Sequence, residues 1–269
     1  MPAKPLEYKI AIPSYRRSEL LVTQTIQTLK TLGNDLSNVT VFTANDEETL
    51  IYRTVLEAAN IDVSVVTGVP GLLSCRKWYY SQYYKEGERV VSLDDDIAGI
   101  YQKLDENKLA PYKGTFEQIV QRAYAICEEN DVRLWGINAA FNGLFLKPTL
   151  TIGLRYCCGI MFGGYAGDPA MCGADRGDSS SGEDFELTLR HFKRYGKVAR
   201  IDALTCKTKY FNPGGMQAEL GGKAERDEHH RLMLNKIAEQ YPDLAKVYDK
   251  AGGVANIRLK TVTEAKIVW

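Results

Sequence analysis

Residues 89–96 read Arg89-Val90-Val91-Ser92-Leu93-Asp94-Asp95-Asp96. An apolar strand, RVVSL, runs straight into three consecutive carboxylates. Like charges repel, and burying a carboxylate is costly. An acidic triplet at the end of such a strand therefore needs compensation. A divalent cation supplies it, because Mg2+ and Mn2+ prefer oxygen ligands and bridge carboxylates to phosphate oxygens. In an extended segment alternate residues share a side, so Asp94 and Asp96 are expected to reach one ion while Asp95 points elsewhere. The competing reading is a helix N-terminus with an acidic first turn.

The residues before this triplet repeat one pattern. Tyr8–Ile12 is an apolar strand, ended by Pro13-Ser14-Tyr15-Arg16-Arg17-Ser18, and Glu19–Leu32 has apolar positions at helical spacing up to Gly33. Val39–Thr43 is a second strand, followed by the acidic loop Asn45-Asp46-Glu47-Glu48 and a helix over Thr49–Ala59. Val63–Thr67 is a third, closed by Gly68-Val69-Pro70-Gly71 and followed by the aromatic helix Leu72–Tyr84. Strands that are apolar throughout and alternate with helices predict a parallel sheet covered on both faces. Ligands of such sheets bind at the carboxyl ends of the strands, where these loops lie.

The second half is less regular. Helices are expected over Thr115–Glu129, Glu183–Tyr195 and Ala224–Gln240, and strands over Arg133–Asn138, Gly159–Phe162 and Val198–Ala203. Met171–Gly182 and Asn212–Gly222 read as flexible loops. One domain is expected over residues 1–269, with a division near residue 105 that is topological and not a linker.

Composition narrows the class. Hydrophobic residues make up 45% and charged residues 25% of the 269, as in ordinary soluble globular proteins. No apolar run resembles a signal peptide or a membrane span, so a cytosolic, membrane-free protein is expected. The six cysteines form no C-x-x-C pair and are expected to be reduced and mostly buried. The formal net charge of zero points away from a protein that grips nucleic acid with its whole surface. A local patch over Lys193, Arg194, Lys197, Arg200, Lys207 and Lys209 remains the candidate for any such contact.

Three further groups can carry chemistry. Ser181-Gly182-Glu183-Asp184 opens a helix, where acids cap by default; beside a Gly/Ser loop, such a carboxylate can instead take a proton from a hydroxyl. Arg16, Arg17, Arg76 and Lys77 follow strands, and a helix N-terminus with an arginine suits phosphate; solvated surface charge is the plainer reading. His229 and His230 are adjacent on an expected helix, about 100° apart, so both do not easily bind one ion, and an exposed polar face is the alternative.

Taken in order, IAIPSYRRS, SCRKWYY, SLDDDI and GEDFELTLR resemble the GT-A nucleotide-sugar glycosyltransferases over roughly residues 8–210. The resemblance implies a Rossmann-like α/β fold with a central, mostly parallel sheet. Residues 1–105 would be the nucleotide-sugar half, and residues 106–269 the acceptor half with a C-terminal helix. It implies a UDP-sugar donor held by Pro13, Ser14, Tyr15, Arg16, Asn45, Asp46, Arg76, Asp94 and Asp95. It implies Mn2+ or Mg2+ on Asp94 and Asp96, with His229 or His230 as a further ligand. Asp184 would be the catalytic base of an inverting transfer, with Glu183 binding acceptor or donor sugar.

More narrowly, the short chain, the triple Asp, GEDFELTLR and KYFNPGGMQ resemble phage glycosyltransferases associated with TET/JBP-type dioxygenases. That implies an acceptor hydroxyl on a hydroxymethylated pyrimidine, 5-hydroxymethylcytosine in DNA, and a site of action in the host cytoplasm. A glycan or small-molecule acceptor, and a nucleotide-binding module without catalysis, are the alternatives. A nucleotidyltransferase would be expected to show a glycine-rich loop after the first strand, and IPSYRRS has no glycine.

Overall fold

The computed structural model describes residues 5–105, 107–173, 181–208, 223–250 and 253–269. Four parallel strands form the first block: β1 (Lys9–Pro13), β2 (Val39–Thr43), β3 (Ser64–Thr67) and β4 (Arg89–Leu93), in the order β3-β2-β1-β4. Beyond β4 the sheet continues through β9 (Met161–Tyr165), β7 (Trp135–Asn138), β10 (Val198–Thr208), β8 (Thr149–Leu154) and β13 (Val262–Val268). β9 runs antiparallel to both β4 and β7, β7 and β10 pair in parallel, and β8 opposes both β10 and β13. β5 (Ile97–Lys103) pairs antiparallel with β10, and β6 (Leu109–Pro111) with β5. A separate hairpin joins β11 (Ala245–Asp249) and β12 (Ala255–Leu259).

The strands alternate between two cores, as a period of two requires. Ile10, Ile12, Val91 and Leu93 face one cluster, and Ala11, Phe42 and Val90 face the other. On the first face lie α1 (residues 18–31), α2 (Asp46–Ala58) and α4 (Phe116–Glu129); on the second lie α3 (Leu72–Trp78) and the start of α6 (Glu183–Tyr195). The short α5 (Pro169–Cys172) packs beside α6. A third cluster joins α6, α7 (Lys223–Gln240) and the β11–β12 hairpin through Leu189, Leu234, Ile237, Tyr241 and Ile257.

Local chemistry explains the ends. Asn45 caps α2 by accepting from the Glu48 amide, so the helix begins three residues before the expected Thr49. Thr115 and Gln118 form a capping box on α4, and Gly33 and Gly196 follow α1 and α6 with φ of +67° and +76°. α1 is not uniform: Val22–Ile26 is a π-helical turn, and Tyr79–Tyr83 is another after α3. All six cysteines are free, five of them buried. Among the described residues no helix is long and apolar enough to cross a membrane. Residues 174–180 of the expected Met171–Gly182 loop, all of Asn212–Gly222, and Lys209 lie outside the described residues.

A candidate active site at the end of β4

Asp94-Asp95-Asp96 is a tight turn between β4 and β5, not the extended segment expected, so the three carboxylates diverge. Asp94 accepts a 2.8 Å bond from Arg76. Asp95 is buried and accepts from Ser14 (2.5 Å) and Arg17 (3.2 Å). Asp96 lies 3.8 Å from the same Arg17 guanidinium. The turn is clamped from α1. Thr25, in the π-helical stretch, donates to the Asp94 carbonyl (2.8 Å) and accepts from the Ile97 amide (2.9 Å), while Thr28 donates to the Ile97 carbonyl (2.8 Å). π turns recur at functional sites because they re-aim side chains in this way.

Arg76 is the second organiser. Sequence places it near a helix N-terminus facing phosphate; in the structure it lies in the last turn of α3, 5% exposed. Its guanidinium bonds to Asp94, to the Gly159 carbonyl (2.8 Å) and to Glu183. Arg76 thus ties the acidic turn of β4 to the first turn of α6. Gly159 makes room for it: a Cβ there would stand 3.2 Å from the guanidinium and 3.4 Å from Asp184.

Asp184 combines both readings of the helix start. One carboxylate oxygen accepts from the Phe185 amide (2.9 Å), as a first-turn acid does. The other accepts from the Gly159 amide (3.1 Å) and from the Tyr156 hydroxyl. Tyr156 stacks on Phe185 with centroids 4.2 Å apart, so the carboxylate is fixed from three directions. Arg76, Asp94, Tyr156, Glu183, Asp184 and His230 all line one cavity of about 870 Å³.

Charge in this region is unbalanced. Asp94, Asp95, Asp96, Glu183 and Asp184 are met by two guanidiniums, Arg17 and Arg76. Burial pushes the Asp94 carboxyl up to about 7; Arg76 opposes the shift, and Asp96, Asp95 and Asp184 add to it. Burial likewise raises Asp96 to about 6, helped by Asp95 and opposed by Arg17. Burial raises Asp95 as well, against its bonds from Ser14 and Arg17. Of the three carboxylates of the turn, Asp94 alone lines the cavity, its side chain 32% exposed.

Several of the expected donor-binding residues have partners within the fold. Asp95 is held by Ser14 and Arg17 and is absent from the cavity wall, so it braces the turn. Ser14 is buried and also bonds to Tyr52 (2.6 Å). Pro13 is buried at the end of β1; Asn45 is occupied as a cap, and Asp46 accepts from Thr67 (2.7 Å). Tyr15 and Arg16 stay near the surface, the Arg16 guanidinium over the Tyr15 ring at 4.9 Å with Arg16 at φ +55°. None of Pro13, Ser14, Tyr15, Arg16, Asn45 or Asp46 lines the cavity.

The expected metal set of Asp94, Asp96, His229 and His230 is not assembled. Among the described residues no group of three or more His, Cys, Asp or Glu side chains converges. His230 lines the cavity but bonds to Ser181 (2.7 Å), and burial lowers its pKa. His229 does not line the cavity, as the 100° turn between neighbours on α7 dictates. Sequence reasoning missed Tyr52, Thr25 and Tyr156; a hydroxyl residue beside an acidic motif carries no signal of its own.

Four residues of the expected basic patch have separate partners. Lys193 lies over Tyr241, Arg194 over Tyr195, Lys197 pairs with Glu264, and Arg200 pairs with Asp202 at 2.6 Å. Lys207 is seven residues beyond Arg200 on β10, roughly 20 Å along an extended strand.

No family profile and no curated protein matches the chain. Solved structures do. A mycobacterial protein aligns at 10% identity with a TM-score of 0.50, covering 97% of this chain and 86% of its own. Glucosyl-3-phosphoglycerate synthase from Mycobacterium tuberculosis, solved with Mn2+, uridine diphosphate and phosphoglyceric acid, aligns at 11% identity and a TM-score of 0.48, over 97% and 89%. Staphylococcus aureus TarS 1–349 aligns at 15% identity and 0.47, over 73% of this chain and 58% of that one. The chain thus spans less than two thirds of the TarS fragment. At these identities the likeness is one of fold. The fold class is the expected α/β one, with a mostly parallel central sheet and helices on both faces.

Proposed function

We propose that the protein is a metal-dependent, inverting glycosyltransferase using a nucleotide-sugar donor, with UDP the nucleotide implied by the resemblance. The observation that carries this is one cavity lined by Asp94, Arg76, Glu183 and Asp184 at the carboxyl end of β4. In open α/β sheets that is where substrates bind.

Asp94 and Asp96 would hold Mn2+ or Mg2+, which when bound supplies Lewis-acid neutralisation of a leaving diphosphate. The remaining work falls to the protein's own groups. Arg76 bonds to both Glu183 and Asp94, linking the acidic turn to the helix that carries the proposed base. Asp184, oriented by Tyr156 and the Gly159 amide, takes the proton from the acceptor hydroxyl as it attacks the anomeric carbon. The anomeric carbon gains oxocarbenium character as the bond to the diphosphate breaks. Glu183, which lines the same cavity, would hydrogen-bond a sugar hydroxyl.

For the acceptor we keep the hydroxymethylated pyrimidine of DNA, which the resemblance implies. A cavity of about 870 Å³ suits one nucleotide and not a duplex, so a base would have to be flipped out of the stack. The test is transfer from a panel of UDP-sugars with Mn2+ to DNA with and without 5-hydroxymethylcytosine, read by nucleoside mass spectrometry. A sugar-sized gain on the modified base alone is the expected result. Slow, Mn2+-dependent donor hydrolysis with no gain would keep the enzyme class and remove this acceptor. Failure to bind UDP with Mn2+ would remove the class.

A further inference from the structure

A second cavity opens beside the first, and the surface around it is apolar. β9 opposes both β4 and β7, so β7 runs with β4, and the loop after β7 emerges at the end of the sheet that carries Asp94. Ala139, in that loop, lines the main cavity. Phe141 lines a separate cavity of about 500 Å³ with Asn107, Leu109, Asn142 and Leu144. Two residues of chain span at most about 7 Å, so one ligand can reach both cavities. The wall of the second is fixed. Asn142 accepts from the Leu144 amide (3.0 Å), and Asn138 donates to the Phe145 carbonyl (3.2 Å). Gly143 lies so close to the β5–β6 turn that a Cβ there would stand 2.8 Å from the Asn107 carbonyl carbon. The Phe141 ring meets Tyr101 edge to face, centroids 5.0 Å apart, and is still 43% exposed. Leu104, Leu144 and Phe145 are more exposed still, and with Phe141 they make four of the nine large apolar side chains exposed among the described residues. Apolar side chains gathered in this way mark a binding surface.

We propose that this cavity is a stacking subsite for a base of single-stranded nucleic acid, with Phe141 as the platform and the Asn107 and Asn142 amides at the edge of the base. The proposal rests on the DNA-acceptor reading for the nucleotide in the main cavity, and on the second cavity alone for the stacked base. Every base has a π face, and a ring already held against a neighbour gives up little freedom when a base stacks on it. Among the described residues the Asn107 side-chain amide and the Asn142 Nδ2 group have no hydrogen-bond partner, so both can bond a base edge. A hydrocarbon occupant would strand those amides. Residues 103–113 and 139–147 carry four lysines and two acids, a net of +2 in a chain that is neutral overall. That excess suits a phosphate backbone, whereas a second copy docked about a twofold axis would set like charge against like. Filling both cavities takes two bases out of a stack, so the substrate is a single strand or a locally opened duplex.

Fluorescence anisotropy of the full chain tests this, with a labelled single-stranded oligonucleotide of unmodified bases and without donor or divalent metal. Saturable binding is expected. Phe141→Ala should weaken it about 5- to 100-fold and Phe141→Leu nearly as much, while Phe141→Trp should retain it, because stacking needs a π face. An abasic strand of the same length should bind the parent and Phe141→Ala equally. Leu232→Ala, which removes an exposed apolar side chain of α7, should leave the affinity unchanged. No strand binding, or binding indifferent to Phe141, overturns the subsite. Strand binding indifferent to Phe141 together with Phe141-dependent binding to phosphatidylglycerol vesicles would give the surface to lipid, and Phe141-dependent dimerisation in sedimentation would give it to a second copy. If UDP with Mn2+ binds and the strand does not, the enzyme class stands and the subsite falls. If the strand binds through Phe141 and UDP with Mn2+ does not bind, the class falls and the subsite stands.

Discussion

The acidic and basic sides of the cavity are built differently. Every acid of the β4 turn is braced: Asp94 by Arg76, Asp95 by Ser14 and Arg17, Asp96 by Arg17, with Thr25 clamping the backbone. On the basic side, lined by Arg155, Lys250 and Lys260, the Arg155 guanidinium is held by neutral acceptors, and among the described residues the exposed Lys250 and Lys260 side chains have no ion pair. A braced surplus of charge is costly in the free protein but leaves little reorganisation for the moment of reaction. An unbraced one costs little and gains its order from whatever binds.

Substitutions can break this contrast. Asp184→Asn should reduce transfer by about 10²–10⁴-fold while UDP–Mn2+ affinity, read by calorimetry, stays put; a parallel loss of donor affinity would deny it the base role. Arg76→Met should cost roughly 3–5 kcal/mol in denaturant unfolding, since it strands Asp94 and Glu183 without their cation; a cost below about 1 kcal/mol would mean the acids relax into water. Thr25→Val should cost about 1–3 kcal/mol and weaken the donor, because the Ile97 amide and Asp94 carbonyl lose their partner, while Thr25→Ser should retain both. Lys260→Gln should change stability by under about 0.5 kcal/mol, because the side chain is exposed and has no ion pair among the described residues. A large loss there would show the basic side to be braced after all.

Proton linkage sets a buried histidine of α6 against the acids of the β4 turn, with opposite signs. His191 is fully buried on α6, bonded to the Leu187 carbonyl, near Asp168 and Arg190, and burial lowers it to about 4. Its native form resists the proton that the unfolded chain accepts, so its contribution falls as pH drops from about 6.5 to about 4. Asp94 and Asp96 act oppositely. Raised to about 7 and about 6, they take protons more readily folded than unfolded, so without metal stability rises as pH falls through that range. Unfolding curves of His191→Gln and Asp94→Asn from pH 8 to pH 4 should therefore diverge from the parent in opposite directions. Parallel curves would refute the assignment.

The first hundred residues were legible because each strand there is a continuous apolar run closed by a turn signal. β4 and β2 have the expected bounds, and β1 and β3 are each displaced by one residue at one end or both. Past residue 96 the signal thins. β9 reads MFGGY, its glycines required where the Trp135 indole and Met171 press against the backbone. β13 alternates exposed and half-buried residues at a sheet edge, and β5, β6, β8, β11 and β12 were not foreseen. Of the site, the acids and Arg76 were visible as motifs, but not the inward turn of Arg76 or the bracing of Asp95. Arg155, Lys250 and Lys260 lie more than a hundred residues apart from first to last, and only the topology of the sheet brings them to one cavity.

The π-helical turn at Val22–Ile26 sets the phase of α1. Removing one residue from it would let the helix close into ordinary α-helical geometry, with better local hydrogen bonding. Each residue advances a helix by about 100°, so Thr25 and Thr28 would swing off the acidic turn together. The shortened protein would be expected to hold its helix more firmly and its carboxylates less so. The irregular turn is a length standard, and its extra residue keeps one end of the helix in register with the core while the other keeps time with the site.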